Sequence, residues 1–167
     1  NTPMDFKKYP RNTKRDLLIL KKYRVDYVYM PKKHEIYSFK RKEKIKLNKQ
    51  NNILCAKFRA GHFEGVLDVM DRLTYLIKPS KIYMGEKDLQ QLLLVKNYLK
   101  KKYKTKIISC RTIRNNKKLA LSSRNLLLRK KELIKASSLT QNLILFKKNL
   151  KDKINIKKII YKKKKEL

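Results

Sequence analysis

The chain has 167 residues, of which 47 are Lys or Arg and only 13 are Asp or Glu, so its formal net charge at pH 7 is +34. Hydrophobic residues make up 41% of the chain, which is enough to bury a core and excludes a disordered tail. Apolar runs stay far below the ~20 residues of a membrane-spanning helix, so no membrane partner is expected. The two cysteines, Cys55 and Cys110, argue against a disulfide framework and a cysteine zinc site and favour a reducing, cytoplasmic location.

Such an excess of positive charge is typical of nucleic-acid-binding proteins, because Lys and Arg neutralise phosphates. Its distribution argues against specific recognition. Lysines outnumber arginines 37 to 10 and are spread from Lys7 to Lys165, whereas specific readers use Arg for bidentate contacts and concentrate their charge on one face. We therefore expect no specific nucleic-acid partner and attribute the charge to compositional drift that filled tolerant surface positions with lysine.

The first elements in chain order are short. Apolar residues among charges at 14–22 predict a helix, and the alternation at 25–29 predicts a strand that Pro31 ends. Residues 32–57 are lysine-rich and poorly periodic, with at most a short strand near 44–47.

The middle of the chain predicts a β-α-β unit. Apolar residues at intervals of three and four between Val66 and Ile77 first predict a helix. A strand at 81–84, a helix at about 88–102 and a strand at 106–110 follow, with Asp88 placed to cap the second helix. A crossover of this kind makes the two strands parallel, so their carboxyl ends share one edge of the sheet.

The sequence pattern changes after Asn125. A long helix is predicted through Leu150, and the last sixteen residues alternate Ile with Lys before a final lysine run. We expect this last stretch to be a solvated tail.

Two polar clusters lie where such a sheet would place a ligand. The first, Gly85-Glu86-Lys87-Asp88-Leu89-Gln90-Gln91, ends a strand and opens a helix. Glycine lets a ligand approach the backbone, the helix N-terminus favours anions, and Lys87 suits phosphate, while Gln91 lies one turn into the helix. The alternative is a capped helix with ordinary polar surface residues.

The second cluster is Leu119-Ala120-Leu121-Ser122-Ser123-Arg124-Asn125. Two adjacent hydroxyls and a guanidinium can hold a phosphate, with Arg124 binding two oxygens at once. The alternative is again a helix cap, supplied by Ser123 or Asn125. Together the two clusters indicate a nucleotide site.

These motifs resemble those of the pantoate–β-alanine ligase family, whose usual patterns are GEKD-aromatic-QQ and DGLA-hydrophobic-SSRN. Further matches occur in the family's order within about residues 2–150, namely Tyr9-Pro10-Arg11, Val25-Asp26, Glu35-Ile36-Tyr37 and Arg59-Ala60-Gly61-His62-Phe63. The resemblance implies an α/β fold with a Rossmann-like nucleotidyltransferase parallel sheet, helices on both faces, and part of a small C-terminal α+β domain. It divides the chain into an incomplete nucleotide-binding domain at 1–114, without its first βα unit, and a truncated lid domain at 115–167.

The resemblance also implies an enzyme that joins pantoate to β-alanine. The pantoate carboxylate would attack the α-phosphorus of ATP and release pyrophosphate, and the amine of β-alanine would then displace AMP from pantoyl adenylate. The expected ligands are therefore pantoate, β-alanine and ATP with Mg²⁺, without a metal site built by the protein, and the family's habit implies a homodimer.

Residue roles carry over from the family motifs. Lys87, Ser122 and Arg124 are the expected catalytic residues. The resemblance assigns pantoate to Gln91, to Asp5 at the family's glutamine position, and more weakly to Arg59 and His62, for which a buried structural histidine is the alternative. The residues expected to bind ATP are Gly85, Glu86, Lys87, Asp88, Ile113, Leu121, Ser122, Ser123 and Arg124.

The chain departs from the family pattern in three places. It has no match to the family's His-x-Gly-His motif, Asp5 would repel a carboxylate substrate unless protonated or bridged by a cation, and Lys117-Lys118 replace Asp-Gly and remove a glycine turn. We therefore expect a chain that is incomplete at its N-terminus, shortened at its C-terminus, and unable to form measurable AMP alone. The alternative functions are an inactive remnant of this enzyme and a basic nucleic-acid-binding protein on the same scaffold.

Overall fold

The computed structural model describes residues 9–39, 44–150 and 161, and the chain divides into two compact units between Thr112 and Ile113. The first unit contains the sheet and the second contains the long helix. The assignment of the second unit to a lid domain stays a prediction. No helix in the described ranges is both long enough and apolar enough to cross a membrane.

The N-terminal helix α1 (Thr13–Lys22) confirms the prediction for this stretch. Asn12 caps it, since the side-chain oxygen accepts a hydrogen bond from the Arg15 amide at 3.0 Å. Two one-turn helices follow, α2 (Lys33–Ile36) and α3 (Cys55–Phe58). Residues 44–47 form no strand, and their two apolar side chains instead pack against the core.

The prediction of a strand at 25–29 is wrong. These residues are irregular, and every side chain from Val25 to Met30 is exposed. A strand needs a neighbour to complete its backbone hydrogen bonds. In the described part of the chain the sheet contains only two strands, and both lie further along the sequence. Alternating side chains therefore do not make a strand here, because no partner supplies the ladder.

Helix α4 (His62–Ile77) confirms the predicted helix and begins before its first predicted apolar position. The buried side includes Phe63, Leu67 and Thr74, whereas Leu76 and Ile77 at the end of the predicted stripe are exposed. The Thr74 hydroxyl donates to the Met70 carbonyl at 2.7 Å, so this buried polar group is satisfied within its own helix.

Arg72, on α4, holds the segment that follows α2. The side chain is only 6% exposed, and its Nε donates to the Asp68 carboxylate at 3.1 Å. One terminal nitrogen donates to the backbone carbonyls of Phe39 at 2.8 Å and Ile36 at 3.5 Å. The guanidinium also lies 4.7 Å from the centre of the Tyr37 ring and 4.8 Å from that of Phe39. One buried cation therefore fixes residues 36–39 against α4.

The predicted β-α-β unit is confirmed. Strands β1 (Lys81–Gly85) and β2 (Lys106–Cys110) pair in parallel, with Lys81 opposite Lys106 and Gly85 opposite Cys110. Helix α5 (Leu89–Lys100) makes the crossover between them. The carboxyl ends of both strands lie at one edge of the sheet.

The core of the first unit lies where α4 and α5 pack against each other and against the sheet. Val95 and Leu99 on α5 are completely buried, whereas Leu89, which belongs to the predicted apolar face of this helix, is exposed and Leu94 is buried as well. The cluster of buried apolar side chains consists of Ala56, Phe63, Leu67, Leu94, Val95 and Leu99.

The second unit contains a 3-10 helix at Ser123–Leu127 and the long helix α6 (Lys130–Leu150). Helix α6 confirms the prediction of a long helix after Asn125. The predicted solvated tail lies outside the described residues, except for Tyr161.

Candidate functional site

The first polar cluster forms a tight turn at the carboxyl end of β1. A single 3-10 turn, Glu86–Asp88, connects β1 to α5, and all three of its side chains are exposed. A side chain built on Gly85 would meet no atom within 4 Å, so the space beside this backbone is open. The sheet edge therefore presents Lys87 next to a stretch of backbone that a ligand can approach.

The acidic residues of this turn have defined partners. Glu86 accepts a hydrogen bond from the Ser109 hydroxyl at 2.7 Å, which links the turn to β2. Asp88 occupies the N-cap position of α5 as predicted, but its side chain makes no capping hydrogen bond. Its carboxylate lies 3.7 Å from the Lys87 ammonium instead. The prediction of a side-chain cap from Asp88 is therefore wrong.

Gln91 and His62 line the same open cleft, with a volume of about 530 Å³. Gln91 lies in the first turn of α5, and His62 is the first residue of α4, so two helix N-termini bring them together. Tyr37 lines the cleft as well. The remaining lining residues are Gly61, Gly65, Val66, Val69 and Met70. The cleft thus combines a few polar groups with an apolar wall, which is the usual character of a small-molecule site.

The surroundings of His62 favour its neutral form. Burial lowers the pKa of His62, and the positive charge of Arg59 lowers it further. The terminal nitrogen of Arg59 lies 3.3 Å from Nδ1 of His62, and a neutral ring that accepts there keeps its Nε2–H as a donor. Nε of Arg59 is buried and has no hydrogen-bond partner in the described ranges. The pair therefore offers one neutral donor and a nearby cation.

Gln90 has a role that sequence reasoning missed. Its side-chain oxygen accepts from the Cys55 amide at 3.0 Å, and its nitrogen donates to the carbonyls of Ile53 at 2.8 Å and Asn51 at 3.4 Å. Gln90 therefore anchors the loop before α3 to the start of α5. The only sequence signal for this residue is its place in the Gln90-Gln91 pair of the motif.

The second polar cluster lies in the second unit and follows a small hairpin. Arg114 and Ala120 form an antiparallel bridge, and the Leu121 amide donates to the Ile113 carbonyl at 2.9 Å. Both Ile113 and Leu121 have exposed side chains, at 67% and 53%. The hairpin therefore sets these two predicted nucleotide-binding residues side by side.

Ser122 caps the 3-10 helix of the second unit. Its hydroxyl oxygen accepts from the Arg124 amide at 3.3 Å. The Asn125 side chain instead donates to the Ala120 carbonyl at 3.0 Å, so the cap comes from Ser122 rather than from Ser123 or Asn125. Ser123 is half-buried and Arg124 is exposed. The cap and the proposed phosphate contact thus share one hydroxyl.

Asp5, expected at the family's glutamine position, lies outside the described residues. The turn around Lys117-Lys118, in contrast, is described. Lys118 has φ +67°, in the left-handed region, and the Asn115 side chain accepts from the Leu119 amide at 3.0 Å. The expectation that these lysines remove the glycine turn is therefore wrong, because the turn persists with a lysine in a conformation that favours glycine.

Replacing Lys118 with glycine is expected to stabilise the protein by about 0.5–1 kcal/mol. Left-handed backbone costs a non-glycine residue about 1–2 kcal/mol, and the greater flexibility of glycine in the unfolded chain offsets part of that gain. Thermal unfolding followed by circular dichroism would measure the change. Lys117→Gly is the matched control, since Lys117 has no positive φ and should lose stability. A loss of stability in Lys118→Gly equal to that in the control would contradict the claim that the backbone at Lys118 is strained.

The chain is similar to pantoate–β-alanine ligases in both sequence and structure. A family model described as pantoate-beta-alanine ligase matches residues 1–167. Pantothenate synthetase from Legionella pneumophila (strain Corby) is 40% identical over 126 residues, covering 75% of this chain and 50% of the relative. The one from Caldicellulosiruptor bescii is 36% identical over 159 residues, covering 92% of this chain and 56% of the relative.

Two solved structures share the fold. Pantoate-beta-alanine ligase from Francisella tularensis, described as complexed with β-γ ATP and β-alanine, has a TM-score of 0.78 and 37% identity, over 84% of this chain and 54% of its own. Pantothenate synthetase from Thermus thermophilus has a TM-score of 0.81 and 31% identity, over 89% of this chain and 54% of its own. The chain spans about half the length of these relatives. Its α/β architecture is that of the Rossmann-like nucleotidyltransferases, as predicted, and the chain belongs to the pantoate–β-alanine ligase family.

Proposed function

We propose that this chain serves the ATP-dependent condensation of pantoate with β-alanine. In the proposed reaction the pantoate carboxylate attacks the α-phosphorus of ATP, which forms pantoyl adenylate and releases pyrophosphate. The amine of β-alanine then attacks the acyl carbon, forms the amide of pantothenate, and releases AMP. Family membership supports the overall reaction.

The cleft that Gln91 and His62 share is the observation that carries this proposal. Pantoate is a small acid that carries two hydroxyl groups on separate carbons. Its two methyl groups share the carbon between them. The cleft offers an amide, a neutral imidazole donor and a nearby guanidinium for its polar groups, and Val66, Val69 and Met70 for its methyl groups. Because His62 is neutral, its ring can donate to a hydroxyl without binding the carboxylate as an ion pair. Arg59 provides the positive potential.

ATP is proposed to lie along the turn at the end of β1. Lys87 would contact its phosphates, with Gly85, Glu86 and Asp88 beside it, and a nucleotide in the Francisella relative supports this ligand. For the second unit, the residues proposed to bind ATP are Ile113, Leu121, Ser122, Ser123 and Arg124. Fixed cations of this kind act by positioning the phosphates and stabilising their developing charge.

Mg²⁺ is proposed to bind as a complex with ATP rather than at a site formed only by protein ligands. Among the described residues no group of three His, Cys, Asp or Glu side chains could hold a metal ion. Mg²⁺ bound to a nucleotide needs only one or two carboxylates in addition to phosphate oxygens, and Glu86 and Asp88 lie next to Lys87. These residues therefore fit a nucleotide-bound ion, which would neutralise phosphate charge.

We also propose that the enzyme is located in the cytoplasm. Cys55 and Cys110 are both exposed free thiols, which a reducing cytoplasm preserves.

The resemblance to the family motivates the expectation of a homodimer. Size-exclusion chromatography with light scattering would measure the mass in solution, and a monomer at all concentrations would contradict it.

Isothermal titration of the full chain with pantoate tests the proposed function directly. We expect saturable binding at 150 mM salt, and no binding of succinate, which carries more negative charge but lacks the hydroxyl and methyl groups. Equal binding of both acids would show attraction by net charge alone and would contradict the pantoate site.

Replacing Gln91 with alanine is expected to lower the affinity for pantoate about 10-fold, because a hydrogen bond to a charged or strongly polar ligand is lost. Titration with a non-hydrolysable ATP analogue should give an unchanged affinity. Asn97→Ala is the matched control, since Asn97 is an exposed amide elsewhere on α5. An unchanged pantoate affinity in Gln91→Ala would remove this residue from the site.

A further inference from the structure

A second concave surface lies at the opposite edge of the sheet, where both strands begin. One cleft of about 460 Å³ and another of about 400 Å³ share Tyr103, Lys104, Thr105 and Lys106. We call the lysines that line the two clefts the lysine basin. Its members are Lys78, Lys81, Lys96, Lys100, Lys104 and Lys106.

Hydrogen bonds hold the two loops of this surface together. The Lys106 amide donates to the Ser80 carbonyl at 2.9 Å, and the Thr105 hydroxyl donates to the Pro79 carbonyl at 2.7 Å. Because the strands are parallel, both loops belong to the start of the sheet, whereas Lys87 and Gln91 follow its end. Five residues of strand separate the two edges by roughly 13–16 Å. The lysine basin is therefore distinct from the candidate site.

The charge of the lysine basin is uncompensated in the described part of the chain. None of its six lysines has an ion-pair partner there, and no acidic side chain lines either cleft. Lys102, close by in the sequence, shows the contrast, because its ammonium binds the Asp71 carboxylate at 3.2 Å and the Tyr98 hydroxyl at 3.1 Å. Six like charges in one concavity favour an anion with many charges.

We infer that the lysine basin binds the phosphate backbone of single-stranded nucleic acid without reading its sequence. The two clefts are adjacent, and their lining residues come from the end of α5, the loops that precede the strands and the strands themselves. Tyr103 lines both clefts and is half-buried, because it packs against the core and its hydroxyl donates to the Asp71 carbonyl at 3.4 Å. An aromatic ring among lysines is typical of sites for single-stranded nucleic acid. A lipid surface is instead bound by exposed apolar side chains beside the lysines, and the two isoleucines in the smaller cleft are half-buried.

Binding of a fluorescent 20-nucleotide oligouridine to the full chain, measured by anisotropy from 50 to 300 mM KCl, tests this inference. The basin variant carries Lys81→Gln, Lys96→Gln, Lys104→Gln and Lys106→Gln, all at exposed positions. The matched control carries Lys14→Gln, Lys21→Gln, Lys33→Gln and Lys57→Gln, which are exposed on the first three helices. Both variants lose the same charge, and circular dichroism would verify that both fold.

The two variants should behave differently. The slope of log affinity against log salt should become shallower by about 3 in the basin variant, because each phosphate contact with a single strand contributes about 0.7. At 150 mM KCl the basin variant should bind at least about 30-fold more weakly, and the control less than about 3-fold more weakly. Equal losses in both variants would overturn the inference, because the charge would then act diffusely. It would also be overturned if the parent chain fails to bind at 150 mM, or if the basin variant loses binding to phosphatidylserine vesicles but keeps binding to RNA.

Discussion

Replacing Arg72 with methionine is expected to lower the free energy of unfolding by about 3 kcal/mol. Methionine keeps the packing of the aliphatic stem but removes the charge, the hydrogen bonds and the planar group. Breaking a buried ion pair costs about 3–5 kcal/mol, and Asp68 is partly exposed, which places this pair at the lower end. The carbonyls of Phe39 and Ile36 lose their donor in the same step.

Urea unfolding followed by circular dichroism would measure the loss. Arg15→Met is the matched control, because Arg15 is exposed on α1 and its side chain should contribute less than about 0.5 kcal/mol. Arg72→Lys should fall between the parent and Arg72→Met, because lysine keeps the charge without the planar fork. A loss below about 1 kcal/mol in Arg72→Met would contradict the assigned role.

The same substitution should loosen one wall of the candidate cleft. Arg72 lies against the ring of Tyr37, and Tyr37 lines the cleft with His62 and Gln91. In Arg72→Met, amide hydrogen exchange at residues 36–39 should therefore quicken by more than exchange in the core of α5, which follows the loss of global stability. We therefore expect Arg72 to act on the cleft as a positioning residue, through its contact with Tyr37.

The β-α-β unit could be predicted because its information is local. Helical spacing in α4 and α5, short apolar strands and a connection of crossover length all lie between His62 and Cys110. The strand predicted at 25–29 has the same local alternation, yet it is irregular. A strand depends on a partner that the alternation does not specify, and the described sheet offers none.

The candidate site also has features that the sequence predicts and features that it does not. The position of Gln91 follows from helix geometry, because it lies in the first turn of α5, directly after the 3-10 turn that follows β1. Its meeting with His62 and Tyr37 depends on how α4, α5 and the segment after α2 pack, which no motif encodes. Side-chain partners were harder still to predict, as Asp88 shows, since it occupies the N-cap position of α5 without making the expected capping hydrogen bond.

The turn at Lys118 bears on the alternative of an inactive remnant. That alternative rests on two departures from the family pattern, Lys117-Lys118 in place of Asp-Gly and Asp5 in place of glutamine. A lysine now holds the left-handed conformation, and the hydrogen bonds around Asn115 complete the turn. The substitution therefore costs strain but leaves the hairpin that carries Ile113 and Leu121 in place.

Replacing Lys87 with methionine is expected to weaken binding of ATP about 30-fold, or about 2 kcal/mol, if the proposed nucleotide site is correct. The Lys87 ammonium lies 3.7 Å from Asp88, which is too long for a hydrogen bond, and both groups are exposed. Such a surface pair is worth little, so the ammonium can turn to a phosphate at small cost. Methionine keeps the stem and removes only the charge.

Net charge is the main competing explanation for any effect of Lys87, because a chain of +34 attracts ATP from every side. Lys14→Met therefore serves as the control, since it removes the same charge from an exposed position on α1. At 150 mM salt the screening length is about 8 Å, so a distant lysine should change the affinity less than about 2-fold. Titration at rising salt separates the two cases: a direct contact keeps the gap between the variants, whereas diffuse attraction closes it. Equal weakening by both substitutions at 150 mM would remove Lys87 from the proposed phosphate site.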